Sequence, residues 1–238
     1  CALPISDDLI FRWSGGRSFR VPYAIADNIS VLASSRQLVF DEKINPEKAW
    51  NYGINLTQRY KLATHEGTLS LDLYRTDFLN QLVADQYSDA DAIHFYNLKG
   101  KSTALSFQVM LNQELMEVLN LRLGYKHDDV KSSYQGITEF KPLVARDRAL
   151  ANLGFETNNH HWRFDYTLVW EGKKKLVTTI VDERYGKLPD YSPDFFFMNA
   201  QVTKVFKRFE VYGGAENILD FRQDHPIINA DQPFSNEF

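Results

Sequence analysis

Cysteine is almost absent. The one cysteine among 238 residues is Cys1, so the chain has no internal disulfide and no Cys-x-x-Cys pair for a metal or redox centre. At the first position it reads as the end of a fragment rather than a lipidated terminus. The opening CALPISDD carries neither the basic nor the apolar region of a signal peptide, so the natural N-terminus is expected upstream. Glycine (12) and proline (8) are sparse, and the net charge is only −4 with 24% charged residues, which argues against a disordered tail and against a nucleic-acid surface. Long apolar runs are lacking too. None approaches the roughly 20 residues of a membrane-spanning helix, so a membrane can be crossed here only by strands. A polar average hydropathy does not oppose that reading, because barrel strands spend every second residue on the lumen.

What the chain has in quantity is aromatic residues, 14%, and period-two alternation, the pattern a pleated strand imposes on its side chains. Leu9, Phe11 and Trp13 open the series. Trp50, Tyr52, Ile54 and Leu56 follow, then Leu69, Leu71 and Leu73 in a strand that continues less regularly towards Val83. Leu105 to Leu111, Leu119 to Tyr125 and Ala151 to Phe155 repeat the pattern. The strongest signal sets Trp162, Phe164, Tyr166, Leu168 and Trp170 against Arg163, Asp165, Thr167, Val169 and Glu171. Between Phe195 and Phe221, Met198, Ala200 and Val202 alternate with Asn199, Gln201 and Thr203. A tip at Lys207 and Arg208 then returns the chain through Val211 and Ala215, opposite Glu210, Tyr212 and Glu216, as a hairpin. Tyr23 to Pro46 has no clean period and reads as a long loop with a short helix around IADNISVLASS, and ADQYSDADA reads as a polar loop.

Nine strands result, and their connections alternate long and short. Outer-membrane barrels sort short turns to the periplasmic side and long loops outside, whereas a soluble sandwich has no reason to do so. A half-buried sheet in a soluble all-β binding module alternates too, so no single strand decides. Nine together favour an all-β fold in which the chain is a segment of an antiparallel transmembrane β-barrel.

Three pieces then carry a resemblance. GGRSFRVPYAIADN (15–28), NPEKAWNYGINLTQRY (45–60) and GGAENILDFRQ (213–223) resemble, in order and spacing, the C-terminal portion of TonB-dependent outer-membrane receptors. The phrasing of IADNISVLASSR and DHPIINADQPF is similar to receptors of the Bacteroidetes lineage. The resemblance implies a 22-stranded barrel filled by an N-terminal plug. Residues 1–238 would be nine of its last ten strands. The plug and the last strand would lie outside the chain, because SNEF at the end lacks alternation and Phe238 is not that strand's terminal aromatic.

It also implies active import of a scarce nutrient across the outer membrane of a Gram-negative bacterium: a siderophore or haem, cobalamin, or an oligomeric glycan or peptide. The implied partners are the bilayer, the chain's own plug, the TonB-ExbB-ExbD complex acting through the plug, and a surface lipoprotein as a further candidate. A passive or structural barrel without TonB coupling would have the same wall. Outer loops 21–47, 84–97, 134–146 and 172–194, with 221–238, would select the ligand, and Tyr23, Asn28, Tyr134, Tyr185 and Tyr191 are the candidate contacts. Arg12, Asp72, Arg122, Asp165 and Glu216 would face the lumen, as a wall network or against plug or substrate.

No catalytic constellation is visible, so neither an enzyme nor a cofactor is expected. The histidines, at 65, 94, 127, 160, 161 and 225, are scattered, and the pair His160 and His161 reads as a solvated turn rather than a metal site. Asp85, Asp89 and Asp91 could offer oxygens to calcium, but a plain solvated loop accounts for them better. Asn217 and Asp220 are expected to fix the end of the hairpin rather than bind ligand.

Overall fold

The computed structural model describes residues 2–33, 36–86, 88–89, 91–134, 137–176, 181–182, 186–187 and 190–222. Its strands in chain order are β1 (Ala2–Pro4), β2 (Leu9–Arg20), β3 (Gln37–Phe40), β4 (Glu47–Leu62), β5 (His65–Asn80), β6 (Leu82–Asp85), β7 (Ala92–Asn97), β8 (Ser102–Met116), β9 (Leu119–Tyr134), β10 (Ile137–Phe140), β11 (Asp147–Glu156), β12 (Trp162–Glu171), β13 (Val181–Asp182), β14 (Gly186–Lys187), β15 (Phe195–Val205) and β16 (Glu210–Ala215). The large sheet runs β1-β2-β4-β5-β8-β9-β11-β12-β15-β16, with β10 folded back on the end of β9. Every pairing in it is antiparallel.

The nine expected strands are all present, and four of them reach 15 or 16 residues. Their register explains why the alternation is so clean. Cross-strand partners share a face, and one row runs Phe11, Leu56, Leu71, Val109, Tyr125, Ala149, Trp170, Phe196. The row displaced by one residue runs Arg12, Asn55, Asp72, Gln108, Lys126, Arg148, Glu171. A slip of one residue anywhere would exchange the two faces.

The apolar face has no second layer on it among the described residues. Ile54, Leu73, Phe107, Leu123, Leu153 and Phe164 each leave between 36% and 46% of their surface uncovered. The face is also bounded. Trp162 and Trp170 sit eight residues apart on β12, about 26 Å at ~3.3 Å per residue, close to the height of a barrel's apolar band. Near one edge Trp50 stacks on Tyr52 (6.4 Å between centroids), directly across from the paired charges Arg75 and Asp77 (2.8 Å), and further round the same face His127 pairs with Asp147 (2.7 Å). At the other edge the Lys204 ammonium lies over the Trp162 ring at 4.2 Å, its stem on the apolar side and its charge at the margin.

Short connections all fall at one end: 63–64, 117–118, 157–161 and 206–209, against 21–46, 81–101, 141–146 and 172–194 at the other. Ala63 (φ 58°) and His160 (φ 55°) take the left-handed backbone that such tight turns need. His160 is exposed and holds Glu156 at 2.9 Å within that turn. The hairpin tip at Lys207 and Arg208 is closed by the Phe206 N–H donating to the Phe209 carbonyl (2.9 Å).

Several expectations change. Ala2–Pro4, ahead of the first alternating residues at Leu9, forms β1 and pairs with Pro4 opposite Ile10, where the turn is fixed by the Ser6 hydroxyl accepting the Leu9 N–H (3.0 Å). The strand thought to continue to Val83 ends at Asn80, and Val83 belongs to β6 in a different sheet. The loops 21–47 and 84–97 are not irregular throughout. The short helix expected around IADNISVLASS is present as a 3₁₀ segment over Ala26–Ala33, broken at Asn28, and beyond it the loops hold an unexpected sheet β3-β7-β6 in which β3 and β7 run parallel. Val31, Ile93 and Phe95 pack there with at most 1% exposure, and no such cluster lies in the wall among the described residues. β7 (AIHFYN) is covered on both faces, so it carries no alternation to read.

The two faces make a direct test. Leu71→Arg puts a charge on the apolar face near the middle of its band and is expected to cost about 2–4 kcal/mol in a bilayer, whereas Ser70→Arg, one residue away on the polar face, is expected to cost little. Urea unfolding of the receptor in lipid vesicles measures both, and equal costs would contradict the facing.

Candidate functional site

The polar face of the wall is tied together across strands. The Arg12 Nη1 donates to Asn55 Oδ1 (3.0 Å), and the Asn55 amide donates to Asp72 Oδ1 (2.8 Å), so an asparagine relays between guanidinium and carboxylate on three strands. Around them Ser14, Gly53 and Tyr74 complete a hollow of about 580 Å³. Gly53 is required there: a Cβ would stand 2.6 Å from both the Ser14 hydroxyl and the Tyr74 ring.

Towards the short-turn end, Glu66, Thr68, Asn112, Glu114, Arg122 and Asn152 line a second hollow of about 320 Å³, where Arg122 Nε donates to Asn112 Oδ1 at 2.7 Å. Further along, Asn152 donates to the Thr167 hydroxyl (2.9 Å), and Arg163 pairs with Glu210. Chemically this is a wall of amides, hydroxyls and cross-bonded charges. It can hold water and polar surfaces.

The register therefore sets Arg12, Asp72, Arg122 and Asp165 on one face. Asp165 is exposed and has no hydrogen-bonding or ionic partner among the described residues. Glu216 lies one residue past β16 and is exposed. The relay Asn55 and the cross-strand partners Asn112 and Asn152 were missed in the sequence because an asparagine opposite an apolar residue looks the same whether or not its amide is bridged.

The loop candidates are not brought together. Tyr23 is 71% exposed beyond β2, where its backbone N–H donates to Asp27 (3.0 Å). Asn28 donates its side-chain amide to the Ala24 carbonyl at 2.9 Å, a bond within that loop. Arg20 pins the same loop to the wall through Asp27 (3.3 Å) and Glu47 (2.8 Å). Tyr134 ends β9 with its backbone paired to Ile137, and Tyr191 bridges Lys175 beside Phe140 and Arg146. Strands β4, β5 and β8 separate the two groups. Tyr185 lies outside the described residues, as does most of 221–238.

The plain solvated loop expected, in preference to calcium, for Asp85, Asp89 and Asp91 does not describe Asp85. Asp85 is buried and accepts the Tyr96 hydroxyl (3.0 Å), and Asp89 turns to His94, so the carboxylates do not converge. Among the described residues no three His, Cys, Asp or Glu side chains could hold a metal ion together. Asn217 and Asp220 do what was expected of them. Both adopt positive φ (49° and 48°), Asn217 bonds the Phe221 backbone in both directions (3.0 and 3.1 Å), and Phe221 stacks on Phe195 at 4.5 Å.

A long antiparallel wall with one polar and one girdled apolar face defines the class: a membrane-spanning β-barrel wall. Residues 4–218 match the TonB dependent receptor-like β-barrel family, and the chain belongs to it. That makes it an outer-membrane protein of a receptor family, not an enzyme. No curated protein matches the chain. Among solved structures, the siderophore receptor PiuA from Acinetobacter baumannii is 18% identical with a TM-score of 0.59, over 93% of this chain and 31% of its own. The ferric enterobactin receptor PfeA of Pseudomonas aeruginosa, in a mutant form, gives 13%, 0.66, 93% and 34%, and the ferric-catecholate import receptor Fiu of E. coli gives 13%, 0.61, 91% and 29%. The chain thus spans about a third of the length of the receptors it matches. At these identities the likeness is one of fold.

Breaking the relay tests the wall network. Asn55→Ala is expected to destabilise the barrel by about 1 kcal/mol, by leaving Arg12 and Asp72 without their shared partner. No change on the same unfolding assay would show that the ladder contributes nothing.

Proposed function

We propose that this chain is the C-terminal part of the barrel of a TonB-dependent importer of Bacteroidetes type, taking up a scarce nutrient with the help of an N-terminal plug and the TonB-ExbB-ExbD complex. The observation that carries the reading is the family match over residues 4–218, on a wall whose polar face is cross-bonded and whose apolar face is uncovered. In this reading the wall is static, with lipid outside and the plug against the Arg12–Asn55–Asp72 ladder inside. The long-connection end selects the ligand, and the separated positions of Tyr23 and Tyr191 favour a ligand, or a ligand and a surface lipoprotein, that reaches across several loops. The solved relatives named above act on iron-carrying siderophores, which makes a ferric siderophore the first nutrient to try.

Uptake of labelled ligand by cells carrying the receptor is expected to stop when the proton-motive force is dissipated; uptake that persists would identify a passive barrel instead. Tyr23→Ala and Tyr191→Ala are each expected to weaken ligand binding by about tenfold, measured by titration of the purified receptor, and unchanged affinity in both would remove these residues from the site.

A further inference from the structure

The β3-β7-β6 sheet carries a cluster that the import reading leaves unused. His94 sits on the central strand β7, opposite Val39 on β3 and Asp85 on β6. Its Nδ1 lies 2.8 Å from Oδ1 of Asp41, the first residue beyond β3, and its Nε2 lies 3.4 Å from Oδ2 of Asp89, in the connection between β6 and β7. A neutral imidazole has one N–H and can donate to one carboxylate only; its other nitrogen then turns a lone pair on the second carboxylate. The imidazolium donates to both. Two carboxylates on opposite ring nitrogens are therefore the arrangement of a protonated histidine.

The neighbouring elements supply the rest of the electrostatics. Asp85, across from His94 on β6, is turned to the Tyr96 hydroxyl (3.0 Å) and the Ser88 N–H (3.1 Å). Asp91 gives its N–H to Asp89 (2.8 Å), and Glu42, next to Asp41, accepts the Asn97 N–H (3.0 Å). On the cationic side, Arg36 ahead of β3 donates to the Gln86 carbonyl (2.6 Å), and the Lys99 ammonium lies over the Tyr96 ring at 5.7 Å. The carboxylates that act on the ring are Asp41 and Asp89, and both favour its charged form.

We infer that His94 is the pin of a proton-controlled clamp in the outer sheet: charged, it ties the turn bearing Asp89 to the end of β3, and neutral, it keeps Asp41 and lets Asp89 go. The hydrogen bond to Asp41, foremost, holds the His94 pKa above its ordinary value against the opposing effect of desolvation. The Asp91 N–H, foremost, and then His94 hold Asp89 below the carboxylate range. The signs follow from linkage. His94 has the higher pKa when folded, so its stabilisation is complete below the unfolded value of about 6.5 and is lost as pH rises through the raised one. Asp89 stabilises above the ordinary carboxylate value and is lost as pH falls through its lowered one. The clamp is closed between those limits and opens on the alkaline side, so the shape of the outer surface follows the proton concentration outside the cell.

Hydrogen exchange of the purified receptor in detergent, read by mass spectrometry and corrected for the intrinsic rate, tests this. Peptides covering β6 and β7 are expected to be about an order of magnitude better protected at about pH 5.5 than at about pH 8.5, with β8 unchanged between them. His94→Gln, which keeps one donor but cannot take a proton, is expected to abolish the difference, and Asp89→Asn to shrink it. Protection independent of pH in the unaltered receptor, or an undiminished pH dependence in His94→Gln, would overturn the clamp. Should His94→Gln fail to fold, an NMR titration of labelled histidine in the unaltered receptor decides instead: a His94 pKa at or below that of free histidine would overturn it as well.

Discussion

The constraint on which everything else here depends is that a backbone in hydrocarbon has no water to bond. Each amide and carbonyl left unpaired there costs several kcal/mol, so a strand can cross lipid only between two neighbours. That requirement produces the long antiparallel ladder from β1 to β16, and the ladder in turn fixes the side chains. Once Leu71 is registered against Leu56 and Val109, Ser70 and Asp72 have no choice of face. The separation into an apolar exterior and a polar interior is thus a property of pairing before it is a property of any residue. The wall needs no conventional core, and the fully buried apolar trio Val31, Ile93 and Phe95 belongs to the outer sheet instead.

The same constraint explains what the sequence discloses and what it hides. In the wall one face meets water and the other meets lipid, so Trp162 to Trp170 alternates, with Val169 the one apolar residue on the polar side, and can be read directly. In the outer sheet β7 is covered on both sides and β3 and β6 are only four residues long, so neither period nor length marks them. Ala2–Pro4 escaped notice for a related reason, since three residues cannot display a period. Site chemistry was less legible than fold. Arg12 and Asp72 stood out as charges opposite apolar neighbours, but the relay through Asn55 depends on which residues lie across the sheet, which is set by register. His94 was indistinguishable from the other histidines, because Asp41 is 53 residues away in the chain. Asn217 was readable because its role is local: its partners Asn199 and Phe221 belong to the same hairpin and its exit.

Charge is treated differently at different depths of the molecule. On the polar face it is spread through amide relays, and at the rim of the apolar face it is paired, as in Arg75 with Asp77, or laid on an aromatic ring, as with Lys204 on Trp162. In the outer sheet it is gathered around a single titratable ring. The first two arrangements hold a wall in place across a wide range of conditions, and the third responds to them.

The parallel pairing of β3 with β7 has a consequence for how the molecule assembles. Its partners are more than fifty residues apart, a span whose closure would be entropically costly in an open chain. Yet β3 leads into β4 and β7 follows β5, and β4 and β5 are a hairpin joined by two residues. Zipping that hairpin carries the two distant segments to the same rim, so the long closure reduces to a short one. The outer sheet is then a seal that can be set only after the hairpin beneath it is complete, and its parallel sense, unlike any pairing in the wall, records that it joins the two free ends of one hairpin rather than two successive strands.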